Sequence, residues 1–232
     1  QVRGLGELES PETDNPEYLV ALLEARFLDG DQESYRHFHN TCLSENSVWR
    51  DPMHAALLNL TNQRHAQHNR TVFHLEPDIK DAPGGLRDAT AIRLLRNLNN
   101  RDALDRAYID IGRIDEAEDF MLRIRSILHM ERGRNLNTLN HELQETVANV
   151  FGSPGGHVRS QVEALMSTYF HHAQLISRSL ATALKSSAAP THSNVTKIGK
   201  DLEQSWDGIR FIDGTRASLQ PQTWLTAFEA AL

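Results

Sequence analysis

One cysteine, Cys42, occurs in the 232 residues. A single thiol closes no internal disulfide and builds no cysteine-rich zinc site, so an apolar core has to hold the fold, and a reducing, cytoplasmic setting is the expectation. Long apolar runs are also missing. Hydrophobic residues make up 39% of the chain but nowhere gather into the roughly eighteen residues that a membrane span needs. The opening QVRGLGELESPETDNPEY has no apolar stretch of the secretory kind. Basic charge is in deficit: 24 Lys and Arg against 31 Asp and Glu leave a net charge of −7. That balance argues against general attraction to nucleic acid or to an anionic membrane, which needs a surplus of cations on the binding face. Strand signal is almost absent before residue 185. The length suits one sizeable domain, or one domain and an appendage.

What remains is helical periodicity. Asn15-Pro16 reads as a cap and first position, and Leu19, Leu22, Leu23 and Phe27 follow at helical offsets up to the Asp29-Gly30-Asp31 stop. A second run from about Gln32 carries Tyr35, Phe38 and Cys42; a third, Val48 to about Arg70, has Met53, Leu57, Leu58 and Leu60 as core candidates. Leu86, Ala89, Ile92, Leu95 and Leu98 recur at threes. In YIDIGRIDEAEDFMLRIRSILHMERGR, Ile111, Ile114, Met121, Ile124 and Leu128 form a stripe that Phe120 and Ile127 widen. Asn140 to Phe151 is a shorter amphipathic piece closed by Gly152-Ser153-Pro154-Gly155-Gly156, and Val158 to about Leu184 is another long helix. The composition then turns small and polar in KSSAAPTHSNVTK, a linker pattern. IRFIDGTRASL places strand formers on both sides of Asp213-Gly214, a hairpin dipeptide, before a last amphipathic piece from Thr223. The expectation is an all-α helical bundle over 1–185, a linker over 186–204, and a short C-terminal β-hairpin extension with a helix start over 205–232.

Several chemical readings fail on spacing. His65-x-x-His68 and His171-His172 sit on predicted helices, and histidines three apart can share a metal, but no spacing identifies the further ligands; no metal ligand is assigned. A metal-dependent hydrolase built on the histidines is therefore kept only as a third reading. No His-Asp dipeptide is present, as a phosphohydrolase of the HD type would require. Cys42 near His37 and His39 is better read as a buried thiol than as a nucleophile. Asp29-Gly30-Asp31 precedes Gly152-Ser153, the reverse of the order in a two-metal nucleotidyltransferase centre. No catalytic residue is assigned.

One stretch survives, FHLEPDIKDAPGGLRDATAIRLLRNL. Gly84 and Gly85 would allow close backbone approach, free N–H groups at the following helix start would favour an anion, and Lys80 and Arg87 would add positive charge. The alternative is a plain turn in which Arg87 and Asp88 pair with neighbours. On spacing alone the turn leads, because no Gly-Lys-Thr phosphate loop follows.

At these residues the chain resembles the bacterial protein-PII uridylyltransferase and uridylyl-removing enzyme family. The run from Glu76 to Asp88, EPDIKDAPGGLRD, looks like that family's most distinctive motif outside its catalytic signature. Leu22-Leu23-Glu24-Ala25-Arg26 with Gly30-Asp31, Glu118 to Arg125 through His129, Gly133-Arg134 with Leu143-Gln144, and Tyr169-Phe170-His171-His172-Ala173 follow in the family's order. The resemblance covers about 15–185, with a weaker echo at Ile209–Gly214. Related glutamine-synthetase adenylyltransferases usually carry Gly-Gly-Ile-Arg-Glu where this chain has Gly-Gly-Leu-Arg-Asp. Asn137, Asn140 and His141 depart from the family pattern.

The resemblance implies a nucleotidyltransferase substrate-binding-type helical domain, not catalytic alone. In the complete enzyme a nucleotidyltransferase domain uses UTP and magnesium to transfer UMP to PII, and an HD domain of the same polypeptide removes it. It implies no cofactor for this chain by itself. Lys80 and Arg87 would contact UTP phosphates or the facing catalytic surface, Gly84 and Gly85 would shape the contact corner, and Glu76 and Asp88 would orient the two cations through charge-assisted hydrogen bonds. The alternative is a stand-alone α-helical protein-interaction module.

Overall fold

The computed structural model describes residues 14–44, 46–98, 109–132, 136–152, 157–187, 196–198, 200–205, 208–212 and 221–231. The chain divides into two compact units, Gln1–Leu184 and Lys185–Leu232. The first unit is helical; the second carries a small antiparallel sheet and one helix.

Helix α1, Pro16–Leu23, begins where Asn15 Oδ1 accepts the Tyr18 N–H at 3.0 Å. It buries Leu19 and Leu23 and stops there, several residues short of the sequence expectation. Beyond Leu23 the chain has no core to face: Glu24 to Leu28 are all exposed, and Phe27 packs against Tyr35 at 5.4 Å between ring centroids. Asp31 caps α2, Gln32–Phe38, through the Glu33 and Ser34 N–H groups. A π-helical turn, His39–Leu43, continues it and rotates Cys42 fully into the core, where burial pushes the thiol up to about 11.

Helix α3, Arg50–Gln67, buries Met53, Ala56, Leu57 and Thr61. Leu58 is exposed and Leu60 only partly covered, against the sequence expectation. Neighbouring helical residues point about 100° apart, so the row through Met53 and Leu57 faces inward and Leu58 turns away. Helix α4, Leu86–Leu98, buries Leu86, Asp88, Ala89, Ala91, Ile92, Leu94, Leu95 and Leu98, a spread too wide for one stripe and fitting for a helix covered on most sides. Helix α5, Ile111–Arg132, contributes Ile114, Ala117, Met121, Ile124, Ile127 and Leu128. Arg93 of α4 pairs with Asp115 at 2.6 Å and with Glu118 of α5, joining the two helices at their rim.

Helix α6, His141–Phe151, is capped by Asn140, whose Oδ1 accepts the Leu143 N–H. Helix α7, Val158–Ser187, is 30 residues long. Its buried residues Leu165, Tyr169, Ala173, Ile176, Leu180 and Ala183 recur at fours and threes, as a helix with one long inward face requires. These helices share one core running from Leu19 to Ala183.

In the second unit, β1 (Thr196–Ile198), β2 (Leu202–Ser205) and β3 (Gly208–Phe211) pair antiparallel in chain order. Register sets Ile198 opposite Leu202, and Leu202 opposite Phe211. Strands β1 and most of β2 thus occupy positions read from composition as linker; buried Leu202 gives them an apolar anchor that the polar average hides. Ser205 stands opposite Gly208, and the expected turn at Asp213-Gly214 lies outside the described residues, as does Ser153 to Gly156. Helix α8, Pro221–Ala231, contacts β3. Among the described residues no helix is long and apolar enough to cross a membrane.

Two histidines set an acid limb for stability. Burial holds the His54 and His172 imidazoles below their ordinary range, with His171 and Arg113 adding to the effect on His172 and Asp51 and Glu116 opposing it on the respective rings. A ring whose folded pKa is depressed binds its proton more readily unfolded, so stability is intact above about pH 6.5 and falls as pH drops through the folded values. Urea denaturation at successive pH values should show the midpoint falling between about pH 7 and 5, and His172→Phe should flatten that slope.

Candidate functional site

The elbow from Leu75 to Asp88 is assembled from four directions. After α3 the chain turns through Asn69 and Arg70, both with left-handed φ of 52° and 55°, and the Arg70 N–H donates to His65 O at 2.8 Å. It then runs beside residues 137–141. Ile79 N–H donates to Asn137 O and Leu139 N–H to Pro77 O, each at 2.9 Å, around an antiparallel bridge between Asp78 and Thr138. Gln144 of α6 donates from Nε2 to Leu75 O at 2.7 Å and to Leu139 O at 3.1 Å. Glu76 Oε1 accepts the His141 N–H at 3.0 Å, so this carboxylate sits at the α6 N-terminus, where the helix dipole favours it.

The turn itself is closed by Asp78. Its Oδ1 accepts the Lys80 N–H at 2.9 Å and the Asp81 N–H at 2.7 Å, an Asx turn. Gly84 has φ +78°, and a Cβ there would lie 2.2 Å from the carbonyl oxygen of Ala173 on α7. A Cβ at Gly85 would lie 2.7 Å from Ile79 O. The two glycines therefore permit close approach, as the sequence suggests, but what approaches is the protein's own backbone.

The helix start follows the same logic. Leu86 N–H donates to Ile79 O and Arg87 N–H to Lys80 O, both at 3.0 Å, while the Asp88 and Ala89 N–H groups return to Gly85 O. Gly84 N–H donates to Asp88 Oδ2 at 2.7 Å. The amides expected to stand free for an anion are thus engaged inside the elbow.

Asp88 is the centre of this closure. Its side chain is 0% exposed, and Oδ1 lies 2.5 Å from Arg64 Nη2. His65 Nε2 is 2.9 Å from both carboxylate oxygens. An ionised carboxylate only accepts, so Nε2 carries the proton in this arrangement. Burying a carboxylate is costly unless its lone pairs are met, and here a guanidinium, an imidazole and a backbone N–H meet them.

The six sequence-selected residues therefore divide. Glu76 and Asp88 do not orient Lys80 and Arg87: Glu76 serves α6, and Asp88 serves α3 and Gly84. Arg87 instead pairs through Nε with Asp81 Oδ1 at 2.6 Å, with 55% of its side chain exposed. The Lys80 side chain is half-buried and makes no ion pair among the described residues. Both cations are carried on a corner whose own backbone is satisfied.

Arg64 and His65 are the participants that sequence reading missed. His65 stood out only as half of a metal-like pair; its partner is Asp88, while the His68 carbonyl accepts from His74 Nε2 at 2.9 Å. Among the described residues no group of three or more His, Cys, Asp and Glu could hold a metal ion. Asn137 and Asn140, the departures in the middle of the chain, both have work: Asn137 Oδ1 accepts Arg125 Nε–H at 2.9 Å, and Asn140 caps α6. Tyr169 is fully buried behind the elbow, and burial together with the charge of Asp78 raises its phenol well above the usual range.

Comparison with known proteins matches residues 53–184 to the family described as GlnD PII-uridylyltransferase, an interval that contains the whole elbow and all of its partners. Among curated relatives, a bifunctional uridylyltransferase/uridylyl-removing enzyme of Pasteurella multocida is 33% identical over 76% of this chain and 21% of its own length. The one from Idiomarina loihiensis is 32% identical over 64% of this chain and 18% of its own. That of Acinetobacter baylyi is 37% identical over 50% of this chain and 14% of its own. The chain thus spans about a fifth of the length of the first two relatives. No solved structure matches it.

Two substitutions test the closure. Gly84→Ala forces a Cβ into the Ala173 carbonyl at a left-handed φ and should cost more than about 2 kcal/mol in chemical denaturation. Asp88→Ala leaves Arg64 without its buried counter-charge and should cost about 3–5 kcal/mol, read by the same measurement.

Proposed function

The chain belongs to the GlnD PII-uridylyltransferase family, and from that premise we propose that it is the helical substrate-binding-type module of a uridylyltransferase. It closes over nucleotide held on a nucleotidyltransferase domain of the same polypeptide. In the complete enzyme that domain holds UTP and magnesium, PII receives UMP, and an HD domain removes it. The compartment is the cytoplasm.

The observation that carries this reading is the separation of roles within residues 76–88. The amides at the α4 start and the buried Asp88 carboxylate are engaged inside the elbow, yet the Arg87 guanidinium remains 55% exposed, held in direction by Asp81. A guanidinium oriented by one carboxylate keeps other N–H donors for a phosphate or a facing carboxylate. Lys80 lies seven residues before it on the same corner and supplies a compact second charge. The contribution of Gly84, Gly85, Glu76 and Asp88 is to fix the platform; the contribution of Lys80 and Arg87 is to touch what lies opposite. This corrects the anion-nest form of the idea, since the contact is made by side chains and not by free amides.

In the full-length enzyme, Lys80→Ala and Arg87→Ala should each raise the KM for UTP by about tenfold or more, the size of one charge-assisted hydrogen bond. The melting temperature should stay unchanged. Steady-state uridylylation of PII at varied UTP checks this. Unaltered turnover and UTP dependence in both variants would remove the assigned contact.

A further inference from the structure

Immediately before the elbow the chain alternates in exposure. Val72 is buried, Phe73 is 62% exposed, the His74 ring turns back to His68 O at 2.9 Å, and Leu75 is 80% exposed. Two large apolar side chains two residues apart thus stand outward from a segment that is itself anchored, since Leu75 O accepts from Gln144 and the Phe73 N–H donates to Thr71 Oγ1 at 3.1 Å. The Phe73 ring also leans on Phe170 of α7 at 5.6 Å, and Gly84 meets Ala173 of the same helix. Phe170 and Ala173 are three residues apart, about 4.5 Å along the axis. The Phe73 ring and the Gly84 turn therefore meet α7 within one helical turn of each other.

We infer that Phe73 and Leu75 are the apolar anchor by which a neighbouring domain of the same polypeptide docks onto this module. The inference rests on the functional reading above and specifies its docking surface. The occupant's chemistry is an apolar patch for the two side chains, bordered by carboxylates or bound phosphate facing Arg87. Three observations favour a domain in the same chain over a separate protein. The relatives devote about four fifths of their length to segments beyond the part matched here. A tethered domain is present at high effective concentration at all times, which suits apolar groups that are held outward permanently. The strip also runs directly into the elbow that carries Arg87, and both rest on α7. Large apolar groups at the centre of a contact, with charge at its margin, are the usual division of labour in such interfaces.

The test places the photo-cross-linking residue p-benzoylphenylalanine at position 73, and separately at 75, in the full-length polypeptide. Both sites are exposed enough to accept it without repacking the core. Irradiation without nucleotide, followed by peptide mass spectrometry, should give cross-links to residues of the same polypeptide outside 1–232. Mixing isotopically light and heavy enzyme should show those links to be intramolecular. A companion Leu75→Asp variant should lose at least about nine tenths of the cross-link from position 73 while keeping its melting temperature, as expected for an energetic anchor. Links only within residues 14–184, to PII, to a second copy, or no links at all would each overturn the inference. Because no UTP is used, the result stands apart from the UTP dependence of Lys80→Ala and Arg87→Ala.

Discussion

The buried carboxylate of Asp88 is the constraint on which the arrangement turns. It is fully buried in the first turn of α4, and a charge in that position is tolerated only because three donors converge on it. Two of them, Arg64 and His65, come from α3; the third is the Gly84 N–H. One side chain thereby ties the last turn of α3 to the first turn of α4 and to the elbow between them. Arg87, the next residue back, takes its direction from Asp81 instead.

Around that centre the elbow satisfies its polar groups in layers. Asp78 closes the turn, the strand-like pairing with residues 137–139 aligns it, and Glu76 joins it to the start of α6. Gly84 then lets it seat against Ala173 on α7. Such a platform resists displacement because moving it breaks hydrogen bonds to several helices at once. On the function proposed above, rigidity of this kind would hold the Arg87 side chain at a fixed place, where misplacement is costly to chemistry.

Much of the fold was legible in the residues. The periodicities of α4, α5 and α7, the Asn15-Pro16 start and the buried Cys42 all come from short-range rules of spacing and capping, and the structure carries them. Boundaries and faces were less legible. Helix α1 ends at Leu23 because nothing is available to bury beyond it, and Leu58 faces water because Leu57 already occupies the inward row. Strands β1 and β2 were hidden in a polar stretch, since strands of three or four residues need little apolar content.

For the site, the residues by themselves determined that something at 76–88 was built from two glycines, two acids and two cations at a helix start, and the family pattern gave that run its meaning. Which of those groups face inward was decided only by tertiary structure. Asp88 and Arg87 are adjacent in sequence and alike in being charged, but α3 supplies Arg64 and His65 to one, while the other stands at the surface beside Asp81. The partner lies more than twenty residues away, and no local spacing encodes it. A charge's role follows from what the fold brings within hydrogen-bond reach, because the cost of burial can be met only by groups that arrive through packing.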